Sequence, residues 1–359
     1  MLSLFEPTSP LLDQGRVHEP ESYNHRNPNA LPSDPVRTVV GVHNPSLEAH
    51  ILPPGPQNSG SCIIVVPGGG HSVLVIGSEG ADCVPFFASY GISTVILRER
   101  LRVDGYNMVT DAMNDTFQAI RLVRAHATAW GLDPAKIGIM GFSAGAELAA
   151  AAAIEYNEWN ATHADSPGPA GESLKNVSCR PDFVGLLYPG PTPFQNKESR
   201  KITGCTRLQG GGWAANPNSE PDPVRPQIPR DVPPSFIATP SSGDRIHAIW
   251  AAEYYCRCSL PAGQRTVRNT QQSDNRECPV RGSCADEMLI DGVPNLEMHA
   301  YGNGTHGGGL TYRHGTPLGG WTNRFIEWFE DLGFLGAPGS PTKAAADVQV
   351  FAKAAKLSQ

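Results

Sequence analysis

Ile137-Gly-Ile-Met-Gly-Phe-Ser-Ala-Gly145 joins a short apolar run to an Ala-rich stretch, Ala144–Ile154, through a turn that carries one serine between two glycines. The run Ile137–Met140 has the length and composition of a strand buried on both faces, and Ala144–Ile154 those of a helix. A serine at such a strand–turn–helix junction sits in strained backbone, so its neighbours must be small, and Gly141 and Gly145 are. Gly141-Phe-Ser-Ala-Gly145 is the only G-x-S-x-G in the chain, and its context reads as a nucleophile elbow with Ser143 at the apex. The start of the following helix adds a positive partial charge beside any oxyanion formed there.

Working outward, Cys62-Ile-Ile-Val-Val66 and Ser93–Leu97 are further buried strands, with helical spacing over 79–90 and Ala112–Trp130 and a Gly131 cap. Phe183–Leu187, Ser235–Ala238 and Leu296–Ala300 read as later strands and Trp321–Leu332 as a late helix. Thr38–Val42 and Glu48–Leu52 are shorter β-like runs around Asn44-Pro45. Strands alternating with helices predict an α/β fold: a mostly parallel, doubly wound sheet with helices on both faces. Residues 1–35 read as an irregular lead-in, 36–335 as the catalytic domain, and 336–359 as a linker and amphipathic tail, Thr342–Leu357. Two loop-rich insertions, 190–232 and 259–284, interrupt the pattern.

Pro67-Gly-Gly-Gly-His71 directly follows a buried strand, where bare peptide N–H groups can approach a substrate oxygen. Ala144, just after the serine, supplies the second such donor. An acid and a base then follow in the order Ser…Asp/Glu…His. Asp244 stands just past the strand Ser235–Ala238 and His306 just past Leu296–Ala300, so both fall at strand C-terminal ends on one edge of the sheet. Eleven histidines compete for the base. His299 belongs to a strand, His314 lies beyond the glycine cluster, and His247 follows the acid too closely. His71 adjoins the oxyanion loop and is expected to contact substrate, as is Phe142 beside the serine. His306 is the choice for the base, which predicts activity falling below about pH 6 as an imidazole base protonates.

The run Asp111-Ala-Met-Asn-Asp-Thr-Phe-Gln-Ala-Ile-Arg-Leu-Val-Arg124 and the run Trp130-Gly-Leu-Asp-Pro-Ala-Lys-Ile137 through Gly145 resemble the BD-FAE and acetylxylan-esterase-like group of α/β-hydrolases. So do Pro67–Gly70, the Glu79-Gly80 pair and the closing Trp321…Phe325-Ile-Glu-Trp-Phe329…Gly333-Phe-Leu335. The resemblance covers residues 36–190 and 233–335. It implies the α/β-hydrolase fold and a cofactor-free carboxylic-ester hydrolase acting on short acyl esters such as acetylated carbohydrate. It also implies Ser143, Asp244 and His306 as triad, and Gly69, Gly70 and Ala144 around the oxyanion. The chain departs from the group at His71, where an aromatic is usual, at Ser78, where a histidine is usual, and at Glu99-Arg-Leu101, where Tyr-Arg-Leu is usual. A lactonase using the same triad and an inactive hydrolase-fold binding protein are the competing readings.

A net charge of −7 with no basic stripe gives no support for nucleic-acid or anionic-membrane partners, and no run is apolar enough to span a bilayer. The expected partner is a small-molecule or carbohydrate ester, and the sequence carries no signal for oligomeric state. No metal site is expected among the catalytic residues. Cys256, Cys258, Cys278 and Cys284 cluster at the second insertion and Cys179 and Cys205 near the first, which favours disulfides over free thiols or zinc. Cys62 and Cys83 fall in core elements and read as buried thiols. Sequons at Asn114, Asn160, Asn176 and Asn303 join the cysteine count in pointing to the secretory pathway.

Overall fold

The computed structural model describes residues 1–24, 37–193, 195, 203, 206–207, 213–214, 228–229, 231–259, 294–310 and 316–357. Eight strands form one sheet: β1 (Leu2–Ser3), β2 (Ser46–His50), β3 (Cys62–Val66), β4 (Ser93–Arg98), β5 (Ile137–Phe142), β6 (Val184–Leu187), β7 (Ser235–Pro240) and β8 (Glu297–Tyr301). Their order is β1-β2-β4-β3-β5-β6-β7-β8. The pairings of β2 with β1 and with β4 are antiparallel, and every pairing from β4 to β8 is parallel. The continuous apolar runs expected of a two-sided sheet are its central strands, in which β3, β4, β5, β6 and β7 bury every residue.

Strand alternation splits the core in two. One set of side chains, including Ile64, Val66, Ile139 and Leu186, packs under helices α2 (Met113–His126), α3 (Ala144–Thr162) and α4 (Arg245–Ser259). The other set, including Ile63, Val65, Met140 and Phe142, packs under α1 (Cys83–Ala88) and α5 (Trp321–Asp331). The doubly wound α/β-hydrolase architecture follows. The tail forms α6 (Lys343–Leu357), which buries Ala344, Val348 and Phe351.

Three elements differ from the sequence reading. The N-terminal segment contributes β1, which pairs antiparallel with β2, and it buries Leu4, Phe5, Leu12 and Val17, apolar residues with no strand or helix periodicity to mark them in the sequence. Thr38–Val40 does not join the main sheet but pairs with Ser22–Asn24. Helix α4 begins immediately after Asp244, and its stripe of Ile246, Trp250, Tyr254 and Cys258 recurs every fourth residue, a periodicity the loop-rich flanks obscure.

Most of the two insertions, with Cys205, Cys278 and Cys284, lies outside the described residues. No disulfide joins any two of the five described cysteines. Cys62 and Cys83 are buried in the core as read, and burial pushes both thiols up. Cys179 is also buried, its thiol pushed up to about 12 by desolvation. Among the described residues no helix is long and apolar enough to cross a membrane.

Candidate active site

Strand β5 ends at Phe142, α3 begins at Ala144, and Ser143 between them has φ 53° and ψ −115°. That left-handed backbone is strained for a serine and is held from both sides. The Ser143 N–H donates to the Leu187 carbonyl at 2.9 Å, and its own carbonyl accepts from Gly190 N–H at 3.0 Å. Both flanking glycines are required by space. A Cβ on Gly141 would lie 2.2 Å from the Gly145 carbonyl oxygen, and one on Gly145 would lie 2.1 Å from that of Val66 in β3. Gly145→Ala is therefore expected to lower unfolding free energy by about 3 kcal/mol in urea titration, since backbone must move. Gly70→Ala should cost only about 1–2 kcal/mol, because Gly70 has φ 65° but no atom near its missing Cβ.

The parallel pair β7–β8 aligns Pro240 with Tyr301, so the loops that follow leave the sheet side by side. They interlock: Ser241 N–H donates to Tyr301 O at 2.7 Å and Gly304 N–H to Ser242 O at 3.2 Å. Asp244 and His306, on these two loops, meet. His306 Nδ1 lies 2.8 Å from Asp244 Oδ2, and His306 Nε2 lies 2.7 Å from Ser143 Oγ. The three residues singled out from sequence thus form one continuous hydrogen-bonded series.

A second imidazole joins them. His247, three residues into the turn that opens α4, places Nδ1 2.6 Å from the other carboxylate oxygen, Asp244 Oδ1. Its ring stacks on His306 with centroids 3.7 Å apart and planes 23° off parallel. Burial raises the Asp244 pKa, but the hydrogen bonds from His247 and His306 outweigh it and hold the carboxyl at about 2. His247 is lowered from the usual imidazole value by burial, with the His306 charge adding to that and the Asp244 hydrogen bond opposing it. That lowering favours the neutral ring over the imidazolium. Asp244, His247 and His306 also bring ligand-type atoms within 4.8 Å of one another. Both carboxylate oxygens and both Nδ1 atoms there are engaged in the bonds just described, an arrangement suited to orienting imidazoles.

Ser143 opens on a cavity of about 190 Å³ lined by Gly70, His71, Arg102, Ala144, Glu147, Gly190, Pro191 and His247. Gly70 and Ala144, two of the three residues expected around an oxyanion, flank the serine there. Gly69 does not line it. With φ 134°, and only 1.8 Å between its missing Cβ and the Val73 carbonyl oxygen, Gly69 is the turn that delivers Gly70. His71 does line the cavity: it is 2% exposed, has φ 56°, and sets Nε2 3.2 Å from Glu147 Oε2. The expectation for Phe142 is corrected. As the last residue of β5 it points into the core, is fully buried, and packs against Tyr188 and Trp321. Strand alternation turns it away from the side on which Ser143 emerges.

A buried strut behind the site went unseen in the sequence. The Tyr188 hydroxyl donates to Glu79 Oε1 at 2.9 Å and accepts from Gly309 N–H at 2.9 Å, while Glu79 Oε2 accepts from Gly68 N–H at 2.8 Å. These contacts tie the glycine loop after β3 to the loop that carries His306. The Tyr188 and His306 rings also meet, 73° from parallel and 5.1 Å apart between centroids. The available signal was the Glu79-Gly80 pair, which the family resemblance marks without giving it a role.

Comparison with known proteins agrees with this frame. The BD-FAE family model matches residues 51–179. Over 135 residues the chain is 37% identical to an acetylxylan esterase of Xylanibacter ruminicola, covering 37% of this chain and 24% of that protein. Over 180 residues it is 27% identical to endo-1,4-beta-xylanase B of Butyrivibrio fibrisolvens, covering 49% of this chain and 26% of the other. The chain thus matches about a quarter of the length of these curated relatives. Among solved structures, an acetyl ester-xyloside bifunctional hydrolase from Caldicellulosiruptor lactoaceticus aligns with a TM-score of 0.54 at 27% identity, over 91% of this chain and 100% of that one. Sheet order, elbow and matches converge: the chain is an α/β-hydrolase-fold protein whose residues 51–179 match the BD-FAE family model and which resembles an acetylxylan esterase over 135 residues.

Proposed function

We propose that this protein is a serine carboxylic-ester hydrolase acting on short-chain acyl esters, acetylated carbohydrate foremost. The observation that carries the reading is Ser143 Oγ at 2.7 Å from His306 Nε2, on a strained elbow, with His306 Nδ1 in turn 2.8 Å from Asp244. His306 accepts the Ser143 proton as Oγ attacks the ester carbonyl, and Asp244 holds the imidazole in the tautomer that leaves Nε2 free to accept. Peptide N–H groups at Gly70 and Ala144, beside the N-terminus of the 19-residue helix α3, stabilise the tetrahedral oxyanion. His306 returns the proton to the departing alcohol. It then takes one from water as the water attacks the acyl carbonyl, and passes it to Ser143 Oγ as the Oγ–acyl bond breaks and the carboxylic acid leaves.

Chain length follows from space and lining. A cavity of about 190 Å³ bordered by His71, Arg102 and Glu147 suits an acetyl group and a polar alcohol better than a long alkyl chain. The matched acetylxylan esterase adds support for acetylated carbohydrate. Hydrolysis of p-nitrophenyl acetate, butyrate and octanoate tests this: kcat/KM should fall along the series. A profile that rises toward octanoate would remove the short-acyl assignment.

A further inference from the structure

We infer that His247 is a specificity-determining residue of this site, its Nε2 accepting a hydrogen bond from a hydroxyl beside the ester oxygen of the substrate alcohol. The inference rests on the esterase reading above and extends it to the alcohol side.

Geometry carries it. His247 and His306 bond through Nδ1 to the two oxygens of one carboxylate, at 2.6 and 2.8 Å. Their rings lie 3.7 Å apart and 23° from parallel. Two imidazoles anchored at the same atom type and stacked face to face turn the same opposite edge outward, so the His247 Nε2 emerges alongside the His306 Nε2. His306 Nε2 reaches Ser143 Oγ, and His247 lines the same cavity. The His247 ring also meets the Trp250 ring at 90°, with centroids 5.1 Å apart, a contact that restricts its plane.

Chemistry then sets what it recognises. With Nδ1–H donated to Asp244, a neutral His247 offers only a lone pair at Nε2, so it selects a donor. The leaving oxygen collects its proton from His306 Nε2. A group one ring-thickness away from that oxygen falls opposite His247. In a vicinal diol monoester the free hydroxyl occupies that place, whereas an alkyl ether there has no proton to give. Because both imidazoles are fixed by one carboxylate, this acceptor is in place before the substrate alcohol arrives.

The test uses two esters that differ by that one proton, 2-hydroxyethyl acetate and 2-methoxyethyl acetate. The wild type should favour the hydroxyl ester in kcat/KM by about tenfold, the value of one neutral hydrogen bond at the upper end of its range. In His247→Phe the ratio should collapse toward one, whatever the absolute rates, while His247→Gln, whose side-chain carbonyl can accept, should keep part of it. An unchanged ratio in His247→Phe overturns the inference. So does a wild type that shows no preference, a comparison that needs no variant to fold. Serine-dependent hydrolysis of both esters at equal rates leaves the esterase reading standing and removes His247 alone. Failure to hydrolyse either removes both.

Discussion

Ser143→Ala is expected to lower kcat for p-nitrophenyl acetate by about 10⁴- to 10⁶-fold with the fold intact. The size follows from the division of labour at the elbow. Ser143 Oγ is the atom within 2.7 Å of His306 Nε2, so removing it leaves His306 and Asp244 poised with nothing to deprotonate except water. What remains is binding and the Gly70–Ala144 donors, worth about 10³–10⁴ over the uncatalysed rate in comparable sites. Alanine keeps the Cβ already present at φ 53°, so the variant adds no clash and its thermal midpoint should stay close to wild type. Turnover that survives this change would remove Ser143 as nucleophile, since its loss would then cost nothing in the step it is assigned.

The elbow was legible because its demands are local. A buried strand, two glycines with no room for a Cβ and an Ala-rich helix lie within Ile137–Ile154, and each is visible in composition. Asp244 and His306 were legible for a similar reason: each follows a recognisable strand, and adjacent parallel strands deliver their ends together. His247 was set aside because it lies too near the acid in sequence to serve as the base. Sequence proximity bears on its service as a base and says nothing of what the second carboxylate oxygen bonds. Only the start of α4 at Arg245 answers this, by winding residue 247 back over the side chain that precedes the helix. The Tyr188–Glu79 strut was hidden by sequence separation, since residues 68, 79, 188 and 309 share nothing but the space behind the site. Phe142 stands beside the nucleophile in sequence, but strand alternation assigns its side chain to the core rather than to the substrate.

Asp244→Asn is expected to cut kcat/KM by about 10⁴-fold at neutral pH, and the second histidine gives this loss a distinctive form. Both imidazoles donate Nδ1–H to the carboxylate, one to each oxygen. An amide offers one oxygen and one NH₂, so it can satisfy only one of the two donors and must donate to the other ring. A ring receiving the NH₂ has to place its proton on Nε2. If that ring is His306, its Nε2–H faces Ser143 and cannot accept the serine proton. Adding His247→Phe removes the competing claim on the amide oxygen, which can then turn to His306. The double variant should therefore be more active than Asp244→Asn alone, a non-additivity that independent contributions would not produce. A double variant weaker than the single one would show that His247 does not compete for this carboxylate. Asp244 also links stability to pH. Its folded pKa, about 2, lies below the unfolded value near 4, so its contribution is complete above about pH 4 and is lost as pH falls toward 2. Urea midpoints of wild type and Asp244→Asn should accordingly differ most at neutral pH and converge in that acid window.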